Sequence, residues 1–278
     1  MKASSRILAG STVLVALLAT TGCAKLRARD QLVKGVQNFK AGHYEEAVNN
    51  FQTSVELDPT YKTAHLYLAT SYSYQVMADD DSASNKALAE KALGGFNDVL
   101  AEDPHDLGAL RQEASIYRKI KDYDKAQELE KRVISEDPKD SEAYYTIGVI
   151  NWTQAYKNTT ATIGGEKLTD DAQGNVKLSK ASCLALQAKN GPLVQTAMDN
   201  LQKAVDINPN YDDAMSYLNL DYRQKATIEC GNDAARKDDL SKADDWSQRS
   251  LGARKINEAA KEKKYGGGVS MQTNPDSN

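Results

Sequence analysis

The stretch Asp58–Tyr72, DPTYKTAHLYLATSY, decides how this chain folds, because it recurs. Asp103–Tyr117 reads DPHDLGALRQEASIY, Asp137–Asn151 reads DPKDSEAYYTIGVIN, and Asn208–Tyr222 reads NPNYDDAMSYLNLDY. Each copy has an acid or amide, then Pro, four variable residues and an Ala: Ala64, Ala109, Ala143 or Ala214. A helical pattern follows each. The residue before a proline is pushed out of the α region, so each proline is expected to close one helix. Thr60, Asp106, Asp140 and Asn210 are candidates to cap the next.

The spacing of the repeat prolines is informative. Pro104 to Pro138 is 34 residues, Pro59 to Pro104 is 45, and Pro138 to Pro209 is 71. The two longer intervals are each one 34-residue period carrying extra residues, 11 and 37 of them. Gly35, Ala47, Ala69, Ala92, Ala114, Ala126, Gly148 and Ala197 sit where paired helices must approach closely. Tyr44, Phe51, Tyr72, Phe96, Tyr117 and Tyr123 fill the spaces between. A helix pair cannot bury its apolar face alone, whereas stacked pairs can.

On those residues the chain resembles the tetratricopeptide repeat (TPR) family, whose period is 34 residues. The resemblance implies an all-α fold, a right-handed superhelical α-solenoid of about five helix pairs. The units fall near 28–61, 62–106, 107–140, 141–211 and 212–263. The fourth carries an insertion over 158–190. Its first helix is expected to end near Lys157, with a loose hairpin around Ala172–Asn175, a helical stretch over Leu178–Ala188 and Pro192 in the first turn of the next helix. Such an insertion either lies on the binding face or is a decorative loop. Ala234 to about Lys263 reads as a terminal cap helix with Leu240, Ala243, Trp246, Leu251 and Ile256 inward. Residues 264–278 read as a disordered tail.

The N-terminus has its own signal. Lys2 and Arg6 precede a 13-residue apolar run, Ile7–Ala19, then Thr20, Thr21, Gly22 and Cys23. Such a run is too short to span a bilayer and reads as a secretory signal peptide, residues 1–22. The small residues ahead of Cys23 resemble a bacterial lipobox, with Thr20 where that pattern usually has Leu. The resemblance implies lipidation at Cys23, a tether over 23–27, and a periplasm-facing position in the bacterial envelope. Ala24, which is not Asp, implies the outer membrane. The first repeat helix is expected to begin near Ala28, which holds Lys25, Arg27 and Arg29 close to lipid phosphates.

Formal net charge is −4. That balance argues against nucleic acid as a partner, since phosphate binding wants a basic patch. Cys183 and Cys230 fall in neighbouring units and in an oxidising compartment. They are either a disulfide or two separate small buried residues. His43, His65 and His105 lie at different places in the repeat, and no HExxH, CxxC, GxSxG or Walker loop occurs. The acidic Met77–Lys86 stretch lacks EF-hand spacing and reads as a solvated loop. No cofactor or metal site and no enzymatic activity is therefore expected.

The TPR resemblance implies instead a groove, lined by the first helix of each pair, that takes a peptide or helix of another protein. The positions carried over are Phe39 and Lys40, Leu66 and Tyr74, Arg111, Arg118 and Lys119, Tyr145, Val149 and Trp152, then Ser216 and Arg223. Arg, Tyr and Trp are the residue types that dominate binding hot spots. Three arginines there suit carboxylates and an acidic or C-terminal peptide. The expected function is a non-catalytic scaffold, broadly like the TPR lipoproteins of outer-membrane-protein assembly and pilus secretin biogenesis. Alternatives are an envelope enzyme or its regulatory subunit, with 158–190 forming the site, and a solute-binding lipoprotein.

Overall fold

The computed structural model describes residues 23–171 and 173–265. A helix over residues 23–40 (α1) opens the described chain. There follow α2 (Tyr44–Leu57), α3 (Lys62–Gln75), α4 (Ala83–Glu102), α5 (Leu107–Lys119) and α6 (Tyr123–Glu136). After these come α7 (Ser141–Gly165), α8 (Lys180–Ile207), α9 (Asp212–Thr227) and α10 (Asp233–Tyr265). No strand occurs among the described residues. The expected signal peptide, residues 1–22, lies outside the described residues, as does the tail beyond Tyr265.

The acid-proline pairs explain the boundaries. α2, α4, α6 and α8 each stop two residues before a repeat proline. In every case the Asp or Asn side chain then accepts the backbone N–H two residues on. Asp58 takes Thr60 at 3.2 Å, Asp103 takes His105 at 3.0 Å, Asp137 takes Lys139 at 3.0 Å, and Asn208 takes Asn210 at 3.2 Å. These local turns compete with helix continuation and redirect the chain.

The capping expectation holds at two of four sites. Asp106 accepts from Ala109 N at 2.7 Å, and Asp140 from Glu142 N and Ala143 N at 2.9 and 3.1 Å. Thr60 and Asn210 do not cap. The N-cap position is two residues after the proline, where Tyr61 and Tyr211 stand without a capping side chain.

The chain forms two compact units that divide between Arg132 and Val133. In the first unit α2 packs on α3, α3 on α4 and α4 on α5. Its core includes Phe51, Phe96, Leu110 and Ile116, all fully buried. Burying each such side chain contributes roughly 1.5–3 kcal/mol. In the second unit α7 packs on α8, α8 on α9 and α9 on α10. Ala197, Leu201, Ala214, Leu218 and Trp246 form its largest cluster. Such nearest-neighbour packing is what stacked helical hairpins require, and the fold class is an all-α solenoid. Close approach explains two glycines. A Cβ on Gly35 would meet Phe51 at 2.4 Å, and one on Gly148 would meet Leu201 at 2.5 Å.

Several expected details differ. α1 runs from residue 23, not from near Ala28, so 23–27 is helical. α7 does not end near Lys157 but continues to Gly165. α8 starts at Lys180, so the residues 158–190 lengthen the helix pair more than they interrupt it. Tertiary burial drives this: Thr159, Ile163, Cys183, Leu186 and Asn190 all face inward. Pro192 therefore lies inside α8 and not in a first turn. An interior proline costs about 3 kcal/mol, which burial of Leu186 before it and Val194 after it offsets. The expected hairpin near Ala172–Asn175 is absent among the described residues: 168–171 and 173–179 carry no strand, and Gly174 sits at φ +76°. In α10, Ala243 and Trp246 are buried, but Leu251 and Ile256 are 48% and 56% exposed. The inward stripe of α10 runs instead through Asp239, Ala243, Trp246, Ser250 and Ala253, a spacing of alternating four and three residues.

Candidate functional site

The first unit brings together the ends of α1, α3 and α5. Phe39 and Tyr74 meet edge to face at 4.9 Å between centroids, and Tyr44 lies 5.3 Å from Phe39 and 5.6 Å from Tyr74. Tyr74 keeps 53% of its surface exposed. Beside it, Lys119 Nζ donates to the Ser73 carbonyl at 2.9 Å. Partial burial, then the neighbouring Arg118, pulls the Lys119 ammonium below its usual range. Lys40 and Arg118 are exposed, and Arg111 is half-buried about two turns back along α5. The result is a wet aromatic surface rimmed by cations. Leu66 stands apart from it, lining a cleft of about 670 Å³ with Pro59, Lys62, Gly95 and Glu102.

Glu113 faces away from that surface and is buried, with Oε1 lacking a partner. Burial raises its pKa, and Arg132 opposes the rise. In the acidic Met77–Lys86 turn, Asp80 accepts from Ser82 N at 2.9 Å, and Lys121 pairs with Asp79 at 3.2 Å. Buried Asn85 ties the turn by bonds to Met77 N, Met77 O and Asp80 O. Among the described residues no group of His, Cys, Asp and Glu is placed to hold a metal ion.

The second unit treats the same register differently. Tyr145, Trp152, Tyr156, Tyr211 and Tyr217 form one aromatic run across α7 and α9. Tyr145 lies 5.0 Å from Tyr211, Trp152 lies 5.2 Å from Tyr217, and Trp152 stacks on Tyr156 at 5.1 Å and 8°. Val149 is half-buried on the same helix. Tyr211 donates to Glu142; burial first, and that carboxylate second, raise its phenol pKa strongly. Ser216 is spent on Asp212 O and on Ser250 of α10 at 2.7 Å. Arg223 is spent too, donating to Asn219 at 3.1 Å, Gln173 O at 3.1 Å and Asp244 at 2.7 Å. The carried-over positions therefore separate. Phe39, Tyr74 and Lys119 converge, as do Tyr145 and Trp152, while Ser216 and Arg223 are engaged within the fold.

Some residues of this surface were missed in the sequence. Leu220 is the register equivalent of Val149, one 71-residue proline interval on, so the repeat itself could have found it. Tyr156, one turn beyond Trp152, was findable from helical spacing. Gln173 and Gly174 carried no such signal, because only long-range contacts bring them to α9.

Below the aromatic run, a buried polar network holds the lengthened helices together. Asn190 donates to Ala155 O at 2.9 Å and to Thr159 Oγ1 at 3.0 Å, and accepts from Asn158 at 2.9 Å. Thr159 donates on to Gln224 at 2.6 Å. Cys183 and Cys230 form a disulfide with Cα atoms 5.5 Å apart, joining α8 to the turn after α9. Cys23 is exposed, with a free thiol.

No protein-family model and no curated protein matches the sequence. Among solved structures the chain is similar to MamA, with TM-score 0.52 at 15% identity, over 86% of this chain and 95% of that one. It is likewise similar to MamA 41-end from Desulfovibrio magneticus RS-1, with TM-score 0.52 at 16% identity, over 83% and 96%. A looser likeness, TM-score 0.46 at 15% identity over 81% and 90%, is to YrrB, described as a TPR protein with an unusual peptide-binding site. The chain thus shares with MamA the fold of an all-α solenoid of stacked helical hairpins.

Proposed function

We propose that the protein is a non-catalytic scaffold that binds peptide or helical segments of partner proteins, held by a lipid on Cys23 in the bacterial envelope. The observation that carries the binding reading is the aromatic surface of Phe39, Tyr44 and Tyr74 beside Lys119, with Arg118 and Lys40 exposed at its rim. Aromatic anchors supply contact area, and cations fix an acidic or C-terminal segment. A double variant, Arg111→Ala with Arg118→Ala, should lose partners that the parent protein captures after crosslinking in cells. Undiminished capture of every partner sinks this reading.

The membrane part has separate support. Cys23 is exposed at the first turn of α1, and Lys25, Arg27 and Arg29 follow it. Leu26 and Val33 are 70% and 54% exposed on the same helix. Basic residues beside apolar ones suit an anionic headgroup layer. A periplasm-facing outer-membrane location, serving envelope or outer-membrane-protein assembly, is the corresponding role. Labelling with a fatty-acid analogue should mark the parent chain and not Cys23→Ser; equal labelling, or none in the parent, removes the anchor.

The enzyme alternative gains no support from the insertion. Its Glu166 carboxylate is held low by hydrogen bonds, first from the Ser179 side chain, and joins the two ends of the α7–α8 connection.

A further inference from the structure

Residues 173–178, QGNVKL, cross the end of the α7–α9 surface as a bound peptide would. Two consecutive carbonyls meet arginines: Gln173 O accepts from Arg223 at 3.1 Å, and Gly174 O from Arg236 at 2.9 Å. Gly174 is buried against the α9 backbone. A Cβ there would stand 2.8 Å from the Arg223 carbonyl, at a φ of +76° that already disfavours other residues. Beyond it the chain alternates. Val176 and Leu178 turn inward and are half-buried, while Asn175 and Lys177 are exposed. Extended peptides are commonly recognised in this way, with main-chain bonds for affinity and alternate side chains for selection.

The fit is incomplete. A cavity of about 210 Å³ remains on one side, lined by Trp152, Tyr156, Asp170, Gly174, Leu220 and Arg223. A second of about 500 Å³ lies on the other, lined by Val176, Leu178, Cys183, Thr227, Cys230 and Arg236. Each holds a residue with a buried donor that has no acceptor, Trp152 Nε1 in the first and Arg236 Nε in the second. A buried donor without an acceptor costs about 1–3 kcal/mol. A longer or better-matched segment would fill the space and supply the acceptors. The ends of the connection stay joined without the crossing segment, since Ser179 N donates to Glu166 at 3.0 Å.

We propose that this face of the second unit is a binding surface for an extended Gly-x-apolar-x-apolar segment of a partner protein, and that residues 173–178 are its internal competitor. This rests on the reading of the chain as a peptide-binding scaffold. Tethering gives the competitor an effective concentration in the millimolar range, so a partner must outbid it or wait for it to leave.

The test uses the full chain with 173–178 replaced by a Gly-Ser segment of equal length. The probe is a dye-labelled peptide of residues 168–178, followed by fluorescence anisotropy. The replaced chain should bind the peptide at least about tenfold more tightly than the parent chain does. A peptide carrying Gly174→Val should not bind. Equal binding to both chains, no binding to a replaced chain that melts cooperatively, or tolerance of the valine each overturns the proposal. Should the replaced chain fail to fold, Gly174→Val in the full chain serves. It should expel the segment and raise acrylamide quenching of Trp152 in a Trp246→Phe background, and unchanged quenching overturns the proposal. Partner capture lost in the Arg111/Arg118 double variant, with no peptide bound here, would leave the scaffold reading standing and remove this inference alone.

Discussion

The first unit and the second unit carry the same helical register and use it in opposite ways. In the first, inward positions at the ends of α1, α3 and α5 keep aromatic and cationic surface in water: Tyr74 is half-exposed and Arg118 is exposed. In the second, the equivalent arginine is consumed. Arg223 is bonded to the chain's own α7–α8 connection and to α10, and its side chain is 15% exposed. A repeat position thus specifies where a side chain stands, while its neighbours decide whether it is available. The extra residues in the fourth repeat make the difference, because they supply the segment that reaches back onto α9.

That contrast can be broken experimentally, starting with the disulfide. Cys183→Ser with Cys230→Ser should destabilise the second unit by about 4 kcal/mol on the loop-entropy model, for the 47-residue separation it closes. Guanidinium unfolding, followed by a probe in each unit, should show the loss in the second. A loss confined to the first, or none, would mean the bridge does not hold the lengthened hairpin. Asn190→Ala should cost about 2–3 kcal/mol, since it leaves the buried Ala155 carbonyl and Thr159 hydroxyl short of a partner. A cost under about 0.5 kcal/mol would show that the polar network is incidental.

Next in size is a pH effect in the second unit. Asp221 is fully buried in α9 with neither carboxylate oxygen bonded, and burial raises its pKa well above the usual carboxylate range. The folded state then keeps a proton that the unfolded state releases above about pH 4. Stability contributed by that proton is present at low pH. It is lost as pH rises through the unfolded value towards the folded one, by up to about 1.4 kcal/mol per pH unit. Asp221→Asn should remove this slope and stabilise the protein at neutral pH; an unchanged slope in the difference between the two proteins would refute the assignment.

The smallest effects compare the two arginines directly. Arg223→Ala should cost about 1 kcal/mol, through lost bonds to Gln173 O and Asp244. Arg118→Ala should change stability by no more than about 0.5 kcal/mol. If Arg118→Ala proved the more destabilising, the distinction between an open face and an occupied one would fail.

The amino-acid sequence determined the hairpin array. Asp-Pro and Asn-Pro pairs set four helix ends by local turns, and small residues such as Gly35 and Gly148 set where helices touch. These are short-range rules, legible wherever the repeat is regular. Two of the four expected caps were misplaced by one residue, because Tyr61 and Tyr211 occupy the position that Asp106 and Asp140 fill.

Tertiary structure alone decided that residues 158–165 continue α7. Their threonines and glycines argue locally against helix, yet burial of Thr159 and Ile163 between packed neighbours outweighs that preference. It also decided that Arg223 is spent and Arg118 is not, through a bond between residues 50 positions apart. Local pattern cannot encode such a contact, since its energy exists only once distant segments have been packed together.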